Sequence, residues 1–462
     1  MNAAPLPLPG TLFGRDGRFT VQLKFATNAS VFANFPTGTA PPDRSEFDGL
    51  VLEVEDRAYQ LSRCRLEVEE AQVDPRLVFL DDVYDFSALF REHRMVDLRR
   101  VFHNVALVIA QKDQVSPQFR DYTANTVYDL SVYKRFFADQ EAMLRKEPAS
   151  VREAARGALL RAQRTRFFDF MDRGLLGLRQ VTASFDDEEH KRHGYYFRRH
   201  VWEYIQGAPF LARTNLKPRG YAGDSHMMEM IYEDAFKGNS VFSMLLHRHP
   251  LASAAARAVR NRRTMVPLVL RRVQREFQPL PPRGFRFLSV ACGPAFEVCD
   301  LLAEEPEPEH FHCALLDQDT EALATARAGI QRVQRARRRK FSVAYVNESV
   351  RTMLKRADQV DRLGRFHFVY SMGLFDYLTP PVARAVAKRL LELVVPGGTL
   401  LIGNYHVDNP TRRYMEYWMD WTLYYRTEAE LQALLEDAEA ASAELFFEDT
   451  GCQMFLQVRK PG

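Results

Sequence analysis

The chain has 462 residues, 46% of them hydrophobic, and its formal net charge at pH 7 is +3. A chain of this length is expected to form two or three domains with sizeable cores. The near balance of charge argues against nucleic acid or another polyanion as a partner. No run of about 18 apolar residues is present, so no stable membrane insertion is expected.

The amino terminus and the cysteines bear on location. The first ten residues lack the basic start and apolar centre of a signal peptide. The cysteines show no metal-site spacing, and an odd number without clustering is typical of reduced thiols. They are Cys64, Cys292, Cys299, Cys313 and Cys452. We therefore expect a cytoplasmic protein without a metal site.

Residues 1–81 contain alternating apolar and polar segments separated by Gly, Pro, Asn and Asp. Phe19–Phe25, Val51–Val54 and Tyr59–Leu66 show this alternation, which predicts β-strands. We expect a small β-barrel or sandwich. It resembles a PilZ-type barrel faintly, and the absence of an arginine-rich nucleotide motif ahead of it favours a structural or docking role over ligand sensing.

Residues 82–277 are predicted to form a helical domain, because apolar and charged residues recur at helical spacing. The stretch Lys217–Asp224, KPRGYAGD, interrupts that pattern with two glycines, and a Met-rich helix follows it. We call this stretch the KPRGYAGD loop. Such a loop inside a helical region is often functional, although an ordinary interhelical turn is the alternative. We expect it to close over a site in the next domain as a lid.

Residues 278–462 form the third predicted domain, which begins with the Pro-rich linker 278–284. The apolar run Phe285–Val290 is followed by a small-residue turn, 291–295, and then by an apolar helical pattern. Strand, turn and helix together make the ligand-binding unit of open α/β sheets. No GxGxxG and no GK[ST] follows the strand, which argues against a dinucleotide and a nucleoside triphosphate.

Six more apolar runs follow, and they predict an α/β fold with a Rossmann-like seven-stranded sheet at the carboxyl end of the chain. Asp317 ends the first of them, about 20 residues beyond the turn, where an acid can hold two ribose hydroxyls. Its alternative role, or that of Asp319, is to cap the next helix. A helix is predicted over Pro381–Val395, with Pro396-Gly397-Gly398 as its stop. The runs are Phe311–Leu316, Phe341–Val346, Phe366–Tyr370, Thr399–Gly403, Ala443–Phe447 and Gln453–Val458.

The residues VACGPAFE, LLDQD, VNES, YSMGLFDYL and VVPGGTLLIGNYH occur in this order between Phe285 and Lys460. This stretch resembles the class I S-adenosylmethionine-dependent methyltransferases. The resemblance implies that the turn after the first strand surrounds the methionine part of the cofactor and that Asp317 holds the ribose. The third strand would end beside the adenine, and the stretch Ser371–Tyr377 would face the methyl group and the substrate. The implied cofactor-binding residues are Ala291, Gly293, Pro294, Glu297, Asp317, Gln318, Asn347, Glu348, Ser349, Ser371 and Gly373.

The turn departs from the glycine-rich form usual in that family, since it has Ala291, Pro294 and Ala295. The shape of the methionine pocket is therefore left open. The KPRGYAGD loop, RNRR at 260–263 and NPTRRYMEYWMDWTLYYRT at 409–427 look like one bacterial subgroup, the 3-hydroxypalmitate methyl ester synthases. That likeness spans about residue 120 to the end. It implies O-methylation of a fatty or 3-hydroxy fatty acid carboxylate to a methyl ester used in quorum sensing.

The acceptor decides which catalytic groups are needed. A carboxylate, with a pKa near ~4, is already ionised at pH 7 and needs only groups that aim it. Tyr221, Tyr377, Asn404 and His406 are the candidates. A hydroxyl or amine acceptor would need a base, for which His406 and Asp224 are the candidates. A hydrogen-bonded structural role is the alternative for His406.

Other functional readings stay open at this point. The protein could methylate an amine or a hydroxyl, act on the cofactor itself, or sense a ligand without catalysis through its β-domain. The aromatic helix after Pro410 would suit a lid over an acyl chain or core packing. The basic run 335–340 ends a surface helix and is expected to be solvated rather than bound to RNA. A small-molecule substrate is the expected partner, and a homodimer is the expected assembly if the chain associates.

Overall fold

The computed structural model divides the chain into two compact units, residues 1–114 and 115–462. The predicted domain boundaries near residues 81 and 277 stay a prediction. The part of the predicted helical domain over 82–108 and 110–111 lies outside the described residues. The described residues are 8–14, 17–27, 30–35, 45–54, 57–67, 75–81, 109, 112–282, 284–355, 358–438 and 440–462.

The described residues between 8 and 81 of the first unit form β-strands, as their alternating pattern predicts. Its strands form one antiparallel eight-stranded sheet in the order β4-β7-β8-β3-β2-β1-β5-β6. Inward-facing residues such as Leu12, Val21, Leu23 and Leu50 are fully buried in its core. Closure of this sheet into a barrel or sandwich stays a prediction. The strands are β1 Leu8–Gly14, β2 Gly17–Thr27, β3 Ser30–Asn34, β4 Glu46–Phe47, β5 Gly49–Val54, β6 Arg57–Leu61, β7 Cys64–Glu67 and β8 Arg76–Phe79.

The second unit begins with helices that have clear start signals. Ser116 caps the first helix, and Asp186 and Glu189 form a capping box at the third. Apolar and aromatic side chains of these helices share one hydrophobic core with residues 405–423. The helices are α1 Pro117–Met143, α2 Ala149–Val181, α3 Asp187–Ile205, α4 Pro209–Leu216, α5 Ser225–Glu233, α6 Val241–Leu251 and α7 Ala254–Glu276.

A seven-stranded sheet follows, in the order β11-β10-β9-β12-β13-β15-β14. Neighbours from β11 to β13 are parallel, and β15 is antiparallel to both β13 and β14. The strands are β9 Phe285–Val290, β10 Phe311–Asp317, β11 Ser342–Asn347, β12 Phe366–Ser371, β13 Val394–Tyr405, β14 Ser442–Phe447 and β15 Gln453–Arg459. The helices are α8 Phe296–Glu304, α9 Thr320–Arg337, α10 Val350–Lys355, α11 Gln359–Leu363, α12 Pro380–Glu392, α13 Arg412–Trp418 and α14 Glu428–Gln432.

The predicted stop of the helix after Pro381 is wrong in one respect. Helix α12 ends at Glu392, and Pro396-Gly397-Gly398 lies within β13 instead of ending the helix. The reason is that Val394 already pairs with Phe366 of β12, so the chain becomes extended before it reaches the proline.

Both faces of the sheet are covered by apolar clusters, as is usual for parallel sheets. Ligands are therefore expected at the carboxyl ends of the parallel strands. In the order of the sheet, these ends are Asn347, Asp317, Val290, Ser371 and Tyr405. Among the described residues, no helix combines the length and the apolarity that crossing a membrane would require.

Candidate functional site

A cavity of about 360 Å³ lies at this carboxyl edge. The turn after β9, the tips of β10 and β11, the loop after β12 and the KPRGYAGD loop all contribute to its wall. The structure thus brings together ten of the residues singled out in the sequence. They are Tyr221, Ala291, Gly293, Pro294, Glu297, Asp317, Gln318, Glu348, Gly373 and Tyr377.

The turn after β9 has left-handed backbone at three residues. The φ angles are 53° at Ala291, 54° at Gly293 and 50° at Ala295. Two alanines therefore adopt the conformation that glycine adopts without strain, which is how a glycine-poor sequence makes this turn. A Cβ built on Gly293 would meet no protein atom within 4 Å, so the backbone here borders open cavity.

Asp317 joins this turn to the second strand. Its Oδ2 accepts a hydrogen bond from Gly293 N at 2.8 Å, and its Oδ1 accepts one from Asp319 N at 2.9 Å. Burial raises the pKa of Asp317. Asp319 caps α9 by accepting from Glu321 N and Ala322 N. The two roles considered for this pair are therefore divided, since Asp319 is the cap and Asp317 lies on the cavity.

Glu297 is a second carboxyl residue on the cavity, and it is half-buried. Tyr370 Oη donates to Glu297 Oε1 at 2.9 Å, and burial raises the pKa of Glu297. Arg262 and Arg263 oppose that rise from α7. Both arginines belong to the RNRR motif at 260–263, from which no role for either was predicted. Arg262 also donates to Met372 O at 2.9 Å, which fixes the start of the loop after β12.

Of the three residues predicted beside the adenine, one lines the cavity and two do not. Glu348 lines the cavity, but its carboxylate is paired with Arg362 and accepts from Gln359 Nε2 at 2.6 Å. Asn347 Nδ2 donates to the backbone oxygens of Asp317 and Gln318, so it shapes the tip of β10. Ser349 Oγ accepts from Thr352 N at the start of α10. Asn347 and Ser349 lie outside the cavity lining.

The KPRGYAGD loop lies against the tips of the strands. Its Tyr221 ring packs edge-on against Tyr377, with ring centroids 5.9 Å apart. A Cβ on Gly223 would come within 2.2 Å of Tyr377 Oη, so glycine is required for this close approach. Arg219 pairs with Asp319 and Glu321 at the start of α9. The loop thus occupies the position expected of a lid, and its function as one stays a prediction.

Four other candidates lie outside the cavity. Asp224 is fully buried, caps α5 and forms an ion pair with Arg213 at 2.7 Å. Ser371 Oγ donates to Val290 O at 2.9 Å and so joins β12 to β9. Both side chains are occupied in holding the fold.

Asn404 and His406 flank Tyr405, which does line the cavity. Asn404 Nδ2 donates to Tyr424 O at 3.0 Å, and His406 Nε2 is 3.2 Å from Glu428 Oε2. Alternate side chains of a strand point to opposite faces, so a cavity that receives Tyr405 does not receive its neighbours. Asn404 and His406 therefore have structural partners where the sequence suggested aiming groups or a base.

Asp376 is a cavity residue that the sequence analysis did not single out within Ser371–Tyr377. It is 2% exposed, and its Oδ1 accepts from Tyr405 N at 2.7 Å. Burial raises its pKa to about 6. An acidic residue within the otherwise apolar stretch LFDYL is the signal that could have found it. Among the described residues, no group of three or more His, Cys, Asp or Glu side chains is arranged to hold a metal ion.

No protein-family model matches the chain, and no curated protein matches its sequence. Solved structures also match, among them three with TM-scores of 0.36 to 0.39. A possible exported protein from Bordetella parapertussis is 17% identical, with a TM-score of 0.39 over 69% of this chain and 100% of that one. Magnesium protoporphyrin IX methyltransferase from Synechocystis, with bound S-adenosylhomocysteine, is 11% identical, with a TM-score of 0.36 over 52% and 95% of the two chains. The CurJ carbon methyltransferase is 12% identical, with a TM-score of 0.37 over 72% and 99%.

Proposed function

We propose that this protein is an S-adenosylmethionine-dependent methyltransferase that acts on a small molecule in the cavity. The observation that carries the proposal is the bond from Gly293 N to Asp317 Oδ2 at the cavity wall. It joins a left-handed turn after the first strand of the parallel sheet to an acid at the tip of the second. This is the arrangement that a nucleoside-containing ligand uses at the carboxyl edge of an open α/β sheet.

The cavity fits a cationic cofactor. Four carboxyl groups line it, those of Glu297, Asp317, Glu348 and Asp376. Burial raises the pKa of Glu297, Asp317 and Asp376, because solvent no longer stabilises their charge. A sulfonium and an ammonium group would supply compensating positive charge. Each oxygen of Asp317 accepts one backbone hydrogen bond and keeps a second lone pair for a ribose hydroxyl.

The residues of this chain would hold the cofactor in three parts. Gly293 and its neighbours would leave room for the methionine part, Asp317 would bind the ribose, and Gln318 would border the adenine together with Glu348. All four named residues line the cavity. When bound, S-adenosylmethionine supplies a methyl group attached to a positively charged sulfur. Positioning then provides much of the acceleration, since an in-line displacement requires aligned reactants. Tyr221 and Tyr377 would exclude water and orient the acceptor.

The finer prediction is methylation of a fatty or 3-hydroxy fatty acid carboxylate. It is supported by the resemblance of the KPRGYAGD loop and residues 409–427, and by apolar lining residues such as Met228, Met372 and Leu423. A hydroxyl or amine acceptor is favoured by a different observation, the buried carboxyl of Asp376. Ligand sensing without catalysis and assembly as a homodimer stay predictions.

Calorimetric titration of the full-length protein with S-adenosylhomocysteine tests the proposal. Gly293→Asn would place a side chain in the cofactor space with little backbone strain, because asparagine tolerates left-handed backbone. We expect affinity to fall by at least about tenfold, equivalent to 1.4 kcal/mol. Gly451→Asn is the matched control, since Gly451 has φ 69° and open space around its Cβ but lies outside the cavity. A wild-type protein that does not bind, or equal affinity in the two variants, would refute the proposal.

A further inference from the structure

Asp376 lines the cavity and has one carboxylate oxygen without a hydrogen-bond donor among the described residues. Its Oδ1 accepts the backbone hydrogen bond from Tyr405, whereas no residue in the described part of the chain donates to its Oδ2. Asp376 lies in the cavity wall even though only 2% of its surface is exposed. A carboxylate that is largely removed from bulk solvent and has an oxygen without a donor is costly, and such groups are found where function requires them.

The carboxyl is held in place from a distant part of the chain. Arg426 donates to Phe375 O at 2.8 Å and to Leu378 O at 2.7 Å, so it fixes the short helical turn on both sides of Asp376. Tyr424 N donates to Asp376 O at 2.7 Å. These bonds fix the backbone from which the Asp376 side chain projects at the cavity wall.

The charged and titratable groups around Asp376 come from several elements. Arg262 on α7 and Arg426 after β13 lower its pKa, whereas burial outweighs them and raises it. Asp376 in turn raises the pKa of Tyr377 and Tyr405, which burial already raises. The carboxyl therefore gains a proton more readily than an exposed aspartate does, while it still ionises near neutral pH.

We infer that Asp376 is the general base of the proposed methyl transfer, and that the acceptor is a hydroxyl or an amine that carries a proton. This inference rests on the proposed function. As the acceptor oxygen or nitrogen forms its bond to the methyl carbon, its proton passes to Asp376 Oδ2. The acceptor keeps the electron pair of its former O–H or N–H bond, the C–S pair remains on sulfur, and the proton later leaves to solvent.

A carboxylate acceptor fits this wall less well. It needs no base, so the free oxygen of Asp376 would have no part in its methylation. His406 and Asp224, the bases considered from the sequence, lie outside the cavity. Asp376, by contrast, follows β12, where the acceptor is expected to bind, and no described residue donates a hydrogen bond to its Oδ2.

The test compares three probes of equal chain length, octan-1-ol, octylamine and octanoate, with radiolabelled S-adenosylmethionine. We expect transfer to the alcohol or the amine, at a rate that falls as the pH drops through about 6. Asp376→Asn should lower that rate by about 100- to 10,000-fold, the usual contribution of a general base. Its affinity for S-adenosylhomocysteine, which has no sulfonium charge for Asp376 to balance, should stay within about twofold of wild type, or 0.4 kcal/mol. Asp449→Asn, at an exposed site, is the matched control.

Infrared difference titration supplies a readout that does not need turnover. Subtracting the spectrum of Asp376→Asn from that of wild type should reveal one carboxyl with a pKa of about 6. A carboxyl that titrates near its ordinary ~4 would overturn the inference, even when no probe reacts. Equal methylation of octanoate by wild type and Asp376→Asn would overturn it as well. Failure of wild type to bind S-adenosylhomocysteine would instead overturn the proposed function.

Discussion

Replacing Asp376 with asparagine should make the protein more stable at alkaline pH. Burial raises the pKa of this carboxyl from its ordinary 3.8 to about 6, so the folded protein favours the protonated form. The contribution of this carboxyl to the free energy of unfolding is fully present below pH 3.8, the pKa of an ordinary aspartate. It is lost as the pH rises through about 6, where the buried carboxyl ionises. A pKa change of this size corresponds to about 3 kcal/mol, because one pKa unit is 1.36 kcal/mol.

Asparagine removes the buried charge and keeps an oxygen that can accept the bond from Tyr405 N. The variant should therefore match wild type near pH 4 and exceed it by up to about 3 kcal/mol at pH 8. Its melting temperature should rise by several degrees relative to wild type over that range.

Tryptophan emission during thermal unfolding is a suitable assay. All three tryptophans, Trp202, Trp418 and Trp421, lie in the unit formed by residues 115–462, so the signal reports on the unit that contains Asp376. Asp449→Asn, which changes an exposed carboxyl, should show no such pH-dependent difference. If Asp376→Asn were less stable than wild type at pH 8, ion pairing with Arg262 and Arg426 would outweigh burial, and the reasoning would be refuted.

Four further outcomes are expected from the geometry of the site. Asp317→Ala should weaken S-adenosylhomocysteine binding, measured by calorimetry, by about 1–3 kcal/mol. Asp317→Asn should weaken it by less, since asparagine keeps one acceptor oxygen. Unchanged affinity in both variants would show that Asp317 does not bind the cofactor. Tyr221→Phe should lower turnover without lowering the melting temperature, whereas parallel losses would show that the hydroxyl only supports packing. In Gly223→Ala the new Cβ would lie 2.2 Å from Tyr377 Oη, so the KPRGYAGD loop should move away from Tyr377. Backbone amide hydrogens of the loop should then exchange with solvent faster, and exchange as slow as in wild type would contradict this. At pH 6, S-adenosylmethionine should release more protons on binding than S-adenosylhomocysteine, because a sulfonium lowers the pKa of the buried carboxyls. Calorimetry in buffers of different ionisation enthalpy measures this, and equal release would contradict it.

The sheet could be predicted from sequence because its information is local. Apolar runs such as Phe285–Val290 and Gln453–Val458 are strands in the structure, with bounds within about one residue of those predicted. Asp317 was found for the same reason, since a polar residue directly after a buried strand lies at the carboxyl edge. The extension of β13 back to Val394 was missed because it depends on pairing with β12, which adjacent residues do not reveal.

The catalytic side of the site depends on contacts between distant residues. Asp376 is buried through packing that involves Arg262 and Arg426, which are 114 and 50 positions away along the chain. Asn404 and His406 were chosen because they follow a strand, but only the register of β13 shows that Tyr405 faces the cavity. A single sequence does not determine that alternation beyond the strand end.

The left-handed turn after β9 also has a mechanical consequence. Left-handed backbone costs an alanine about 1–2 kcal/mol, so Ala291 and Ala295 keep this conformation only under restraint by their neighbours. The restraint comes largely from β10, since Cys292 N donates to Leu316 O at 3.1 Å and Gly293 N donates to the Asp317 carboxylate. Asp317, the proposed ribose-binding residue, and the turn proposed to hold the methionine part are therefore mechanically coupled. A displacement of the β10 tip, whether by a ligand or by a substitution, is transmitted to the turn as a change of strain.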